Sequence, residues 1–273
     1  MTNFCHLKLL CFFIFFMSFG FTKTIEAQTS KQEKIAQKLL KKAHILIYTK
    51  NGEGFVHDNI ASSVKGLEKL AEDHGFTVDV SDDPSIFMPG KIDQYDLLIF
   101  SNTNNEAFDN QSQRDVFKNY IQQGGGLLGI HSASGSERDW PWFWKVIGGK
   151  FLRHSKFQSF SIVKIDPHHI SAQVVPDTWV REDESYYLKE LNPDIQVVLA
   201  TDLTTIEDEK AKNEYPSNTF GNYFPVTWCH NFDGGHQWYT SLGHRKDHYE
   251  DPVFMNHILS GIKWILLSQA GKL

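Results

Sequence analysis

The chain has 273 residues and a formal charge of −6, with no dense lysine or arginine block to track phosphates, which excludes nucleic acid as a partner. Two of its three cysteines, Cys5 and Cys11, fall in an apolar leader, so a processed chain keeps only Cys229 and forms no intrachain disulfide. Aromatic residues make up 14%, a content that suits core packing and sugar-facing surfaces alike.

The chain opens on Lys8 and the apolar run 9–21 (LLCFFIFFMSFGF), followed by Ile25-Glu26-Ala27. This order reads as an export signal over 1–27, cut after Ala27. The run is shorter than the ~20 apolar residues that span a bilayer, so no integral membrane span is expected in the mature chain. The expected location is periplasmic or extracellular. Cys11 lies inside the run, not after a small residue at its end, which argues against a lipid anchor.

Residues 28–42 are a polar lead-in, and 43–270 read as one α/β domain. Residues 44–49 (HILIYT) are the first core strand. After the loop KNGEGFVHD (50–58), Asp58 caps a helix carrying Ile60, Val64, Leu67, Leu70 and Ala71, closed by Gly75. A strand over 76–80, a connection over 84–94 and an apolar strand over 95–100 follow. Asp109 opens a second helix, ended by Gly124-Gly125-Gly126, and 127–130 (LLGI) is a short apolar strand. Such alternation implies a doubly wound, mostly parallel sheet flanked by helices.

In the second half, 157–165 and 195–200 read as strands, and 201–222 as a charged surface insertion. Residues 224–230 and 236–241 flank the turn Asn231-Phe232-Asp233-Gly234-Gly235, an added hairpin. Residues 253–267 form a closing amphipathic helix.

Ligands of such sheets bind beyond the carboxyl ends of the strands. There the pattern places His57, His131 directly after LLGI, His154, His230 and His244, with Asp183 and Glu184 in REDESYY between predicted strands. Imidazole titrates near neutrality, and a nearby carboxylate tunes it, which is the logic of an acid–base site. His131 is expected as acid or base, Asp183 or Glu184 as its partner, and His57, His154, His230 and His244 as binding groups. Segment 124–135 (GGGLLGIHSASG) has the form of a strand-to-helix elbow with His131 at its point. The rival nucleophiles, Ser132 and Ser134, lack the G-x-S-x-G pattern.

No cofactor is required by these residues. His244 and His248 have a spacing that suits zinc only on a helix, and Gly243 with the charged 245–247 favours a loop. A divalent metal held by distant histidines and Glu184 stays open. Trp140 and Trp142, in WPWFW, either pack inward or border the pocket and stack on a sugar ring.

Taken together, YTKNGEGFVHD (48–58), YDLLIFSNT (95–103), GGGLLGIHSAS (124–134), DWPWFWKVIGGKF (139–151) with RHS (153–155), REDESYY (181–187), PVTWCHNFDGGHQWYTSLGH (225–244) and DPVFMNHILSGIKW (251–264) resemble the ThuA-like, trehalose-utilisation, family. The resemblance implies a class I glutamine-amidotransferase-like fold and a role in sugar use, trehalose and keto-sugars included. It also implies that His57, His131, His154, Asp183, Glu184, His230 and His244 are the family's polar positions. The elbow of true amidotransferases carries cysteine. Here it carries His131, and Cys229 lies on a late strand, so cysteine-based glutamine hydrolysis is contradicted. Ser185 stands where the family often has an aromatic residue.

The expectation is therefore an exported protein of carbohydrate catabolism, acting on a glycoside or keto-sugar by histidine and carboxylate acid–base chemistry. The alternatives are a sugar-binding protein without turnover and a serine hydrolase. The partner expected is a small carbohydrate, and an oligomer is compatible with the sequence.

Overall fold

A computed structural model describes residues 30–208 and 221–273. The export signal expected over 1–27 lies outside the described residues, as does most of the insertion expected over 201–222. The polar lead-in is helical over 30–40 (α1), and Leu40 joins the core.

Helices and parallel strands then alternate as β1 (His44–Tyr48), α2 (Ile60–His74), β2 (Thr77–Ser81), β3 (Leu97–Ser101), α3 (Gln111–Gln122) and β4 (Gly126–Ile130). The strands β3 and β4 are buried at every position. Both faces are covered, which is why these strands are apolar throughout instead of alternating. Ile45, Ile47, Leu97, Ile99, Leu128 and Ile130 pack on one face beside Leu67 and Leu70 of α2. Leu46, Tyr48, Leu98, Phe100 and Leu127 pack on the other beside Phe117 and Ile121 of α3.

The second half comprises α4 (Pro141–Ile147), β5 (Lys150–His154), β6 (Gln158–Lys164), α5 (Ile170–Gln173), β7 (Thr178–Asp183), β8 (Tyr186–Lys189), β9 (Gln196–Asp202), β10 (Tyr223–Phe232), β11 (Gly235–Thr240) and α6 (Pro252–Gln269). Nine strands form one sheet in the order β2-β1-β3-β4-β11-β10-β9-β6-β7, and β5 pairs with β8 separately. The pairs from β2 through β11 are parallel and those from β11 through β7 antiparallel. The expected hairpin is therefore present, and it inserts β11 beside β4 at the centre of the sheet.

Four direction reversals separate β11 from β7, so β7 runs the same way as the parallel strands. Its carboxyl end, at Asp183, reaches the same edge as the ends of β1, β4 and β11. REDESYY thus spans the end of β7 and the start of β8, two strands the sequence pattern does not mark, with Asp183 inside β7 and Glu184 between the two as expected. The sequence pattern also missed β5. Two expected helix caps shift by one residue. The α2 cap is Asn59, while Asp58 is exposed and pairs with Lys246. The α3 cap is Asn110, whose side chain accepts from the Gln113 amide. Among the described residues no helix is long and apolar enough to cross a membrane.

Candidate functional site

His131 follows β4 with φ 52, the left-handed elbow conformation that side chains larger than glycine rarely adopt. Its ring is buried, and its Nδ1–H donates to the Ser241 carbonyl at 2.7 Å. That bond fixes the neutral tautomer and leaves the Nε2 lone pair free to accept. The Tyr186 hydroxyl donates to Nε2 at 2.9 Å, and Glu184 Oε2 lies 3.8 Å from it. Burial holds the His131 pKa well below its ordinary value, and the neighbouring His57 adds to the effect.

Two further imidazoles close on this ring. His57, from the β1–α2 loop, stands edge-on at 4.8 Å between centroids, and His244, from the loop after β11, lies at 5.4 Å. His57 is 6% exposed, its Nδ1 has no hydrogen-bond partner, and burial first, then the charges of His244 and His154, lower its pKa to about 4. His244 Nδ1 lies 3.3 Å from Glu184 Oε2. His154, at the end of β5, brings its Nδ1 to 3.3 Å from Glu184 Oε1. The Glu184 pKa is raised by burial against the pull of the His154 and His244 charges.

Asp183 has a different position. It is wholly buried, and its carboxylate accepts from the amides of Glu184 (2.9 Å), Gly243 (3.0 Å) and His244 (3.2 Å) and from Arg181 Nε (3.3 Å). It thus ties the loop carrying His244 to the strand carrying Glu184. Asn59 grips that loop from the other side, donating to the carbonyls of Gly243 and His244 at 2.8 Å each. Gly243, at φ 115, supplies the turn.

Three expected site residues do not converge with these. His230 lies on β10, which runs against β11, so it is carried to the opposite edge of the sheet. There its Nε2 lies 2.9 Å from the Lys145 carbonyl. Trp140 and Trp142 pack over Phe117, and Trp142 Nε1 donates to Asp233 at 2.8 Å, so the packing alternative describes them. His248 turns to Asp183 (3.4 Å) and does not join His244 in a ligand pair.

His57, His154 and Glu184 line a cavity of about 540 Å³, with the rings of His131 and His244 packed against that of His57 and outside its lining. Its walls include Phe55, Phe151, Leu152 and Tyr186, with Asn104 and Arg138 as polar contacts. Phe55 is 65% exposed and edge-on to His57 at 4.8 Å. Sequence reasoning singled out none of these. The available signals were Phe55 two residues before His57 and Tyr186 two after Glu184. Ser132 lines the cavity, but its Oγ has no hydrogen-bond partner, and Ser134 bonds the Tyr239 hydroxyl, so neither serine is paired with an imidazole. Cys229 is buried on β10, and burial pushes its thiol up to about 12.

One atom from each of His57, His131, Glu184 and His244 lies within 4.8 Å of all the others, so these four side chains could hold a metal ion.

The family model described as ThuA, trehalose utilisation, matches residues 44–265. A protein from Bacteroides uniformis described as ThuA-like superposes with a TM-score of 0.65 at 21% identity, covering 82% of this chain and 91% of that one. One from Parabacteroides merdae, described likewise, gives 0.63 at 19%, covering 83% and 91%. These likenesses carry the mostly parallel α/β fold. No curated protein sequence matches the chain.

Proposed function

Because the chain belongs to the ThuA, trehalose-utilisation, family, we propose that it works in carbohydrate catabolism, taking a glycoside or keto-sugar into the cavity above the β4 elbow. The observation that carries this reading is the convergence of three imidazoles and one buried glutamate beside the exposed ring of Phe55. Sugar rings present an apolar face and a polar edge. Phe55 and Phe151 suit the first, and Asn104 and Arg138 suit the second.

The reaction class is proton transfer at a carbon or oxygen of the sugar, as in isomerisation or elimination beside a keto group. A proton leaves the carbon next to the carbonyl, and its electron pair moves to the carbonyl oxygen. Glu184 is placed to receive that proton, with His154 3.3 Å away. His57 also lines the cavity, and His131 and His244 pack against its ring. Export belongs to the same reading, supported by the leader around Lys8 and its small-residue end at Ala27. The protein would then meet its sugar in the periplasm or outside the cell.

Calorimetry and product analysis against native and oxidised disaccharides test the proposal. Binding with product formation is the expected result. Binding with no product after long incubation would reduce the protein to a sugar-binding role.

A further inference from the structure

We propose that His57, His131, His244 and Glu184 bind one divalent transition-metal ion beside the cavity that His57 and Glu184 line. The inference goes beyond the sugar reading and does not depend on it.

Four observations carry it. The four ligand atoms come from four separate segments of the chain, yet lie within 4.8 Å of one another. One of them belongs to His57, a residue more than nine-tenths buried whose Nδ1 has no hydrogen-bond partner. A buried ring nitrogen without a partner is costly, and such groups are normally satisfied by protein, water or an ion. The Glu184 side chain is 11% exposed, and its ion-pair partners among the described residues are the imidazoles of His131, His154 and His244, with no lysine or arginine. A buried carboxylate normally has a fixed cation or coordinates a metal. Finally, the His131 Nδ1–H donates to the Ser241 carbonyl, which aims Nε2 at the cluster. Metal-binding histidines are typically oriented by such an outer bond.

The donor set selects the ion. Three imidazole nitrogens and one carboxylate oxygen suit zinc, iron, nickel or copper. Calcium and magnesium prefer oxygen ligands throughout. The Tyr186 hydroxyl, 2.9 Å from His131 Nε2, is the group that an ion displaces from that lone pair. When bound, such an ion would supply Lewis-acid polarisation to a sugar oxygen that reaches His57 and Glu184. With an ion bound, Glu184 and the three imidazoles would serve as ligands, and the proton-accepting role of Glu184 would pass to His154, which lies outside the four and lines the cavity.

The test uses the purified chain, stripped with a chelator and titrated with Zn²⁺ or Co²⁺ alone. We expect one ion per chain, a raised unfolding temperature and, for Co²⁺, a visible absorption band from nitrogen ligation. His57→Ala and the near-isosteric Glu184→Gln should each weaken binding by about 100-fold or more, since loss of an outer-shell partner alone costs 10–100-fold. His154→Ala should keep the ion. Absence of stoichiometric binding would overturn the proposal. So would binding that both His57→Ala and Glu184→Gln leave unchanged. Circular dichroism of the stripped variants separates ligand loss from unfolding. Because no sugar enters the experiment, a failed substrate assignment does not affect its outcome.

Discussion

Asp183 turns inward at the end of β7 and spends both oxygens on amides and Arg181, whereas Glu184, one residue later, faces the cavity. The motif REDESYY pointed to an acidic group at the candidate site. It could not show which one, because strand alternation assigns opposite faces to neighbours and β7 was not legible in so charged a stretch. The same limit applies to WPWFW, where two tryptophans matched sugar-stacking chemistry but pack beside Phe117. The exposed ring at the cavity is Phe55. Phe55→Ala is therefore expected to weaken sugar binding roughly 3- to 10-fold, the loss of about 0.5–1.5 kcal/mol of aromatic contact. Trp142→Phe should leave sugar affinity unchanged. Calorimetric titration of both variants checks the pair, and the reverse ranking would return the stacking role to the tryptophan.

At the scale of elements, the first half was read well. Its strands are covered on both faces and therefore run apolar from end to end. In the second half β6 and β7 are antiparallel strands at one edge of the main sheet, and β5 and β8 form a separate pair. The strand β7 alternates exposed and buried residues, and β5 is short and partly exposed. Such segments carry little continuous hydrophobic signal. Strand direction mattered more than strand existence for the site. Because β10 runs against β11, His230 leaves the cluster, and because β7 runs with β11, Glu184 joins it. The link between these elements is Asp183. Asp183→Asn removes a charge that accepts three amides and pairs with Arg181, and it should destabilise the fold by about 2–3 kcal/mol. A urea-unfolding midpoint unchanged from the parent would show that the His244 loop is held by Asn59 and Tyr249 instead.

Over the whole molecule, several histidines away from the cavity are buried in neutral form. Burial lowers His169 and His230 to about 4 and His257 to about 3. An unfolded chain protonates these groups near 6.5, while the folded chain refuses the proton until far lower pH. Stability is thus fully present above about 6.5 and falls as the pH drops toward about 4, each group contributing a slope of up to ~1.4 kcal/mol per pH unit. Urea midpoints at several pH values over this window should decline steadily, and a flat profile would contradict the burial of these rings. The proposed function involves a different set of histidines, and its most direct test is product formation from native and oxidised disaccharides by the parent chain and by Glu184→Gln side by side. The account predicts turnover by the parent and none by the variant at matched circular dichroism. Turnover at the parent rate by Glu184→Gln would contradict it.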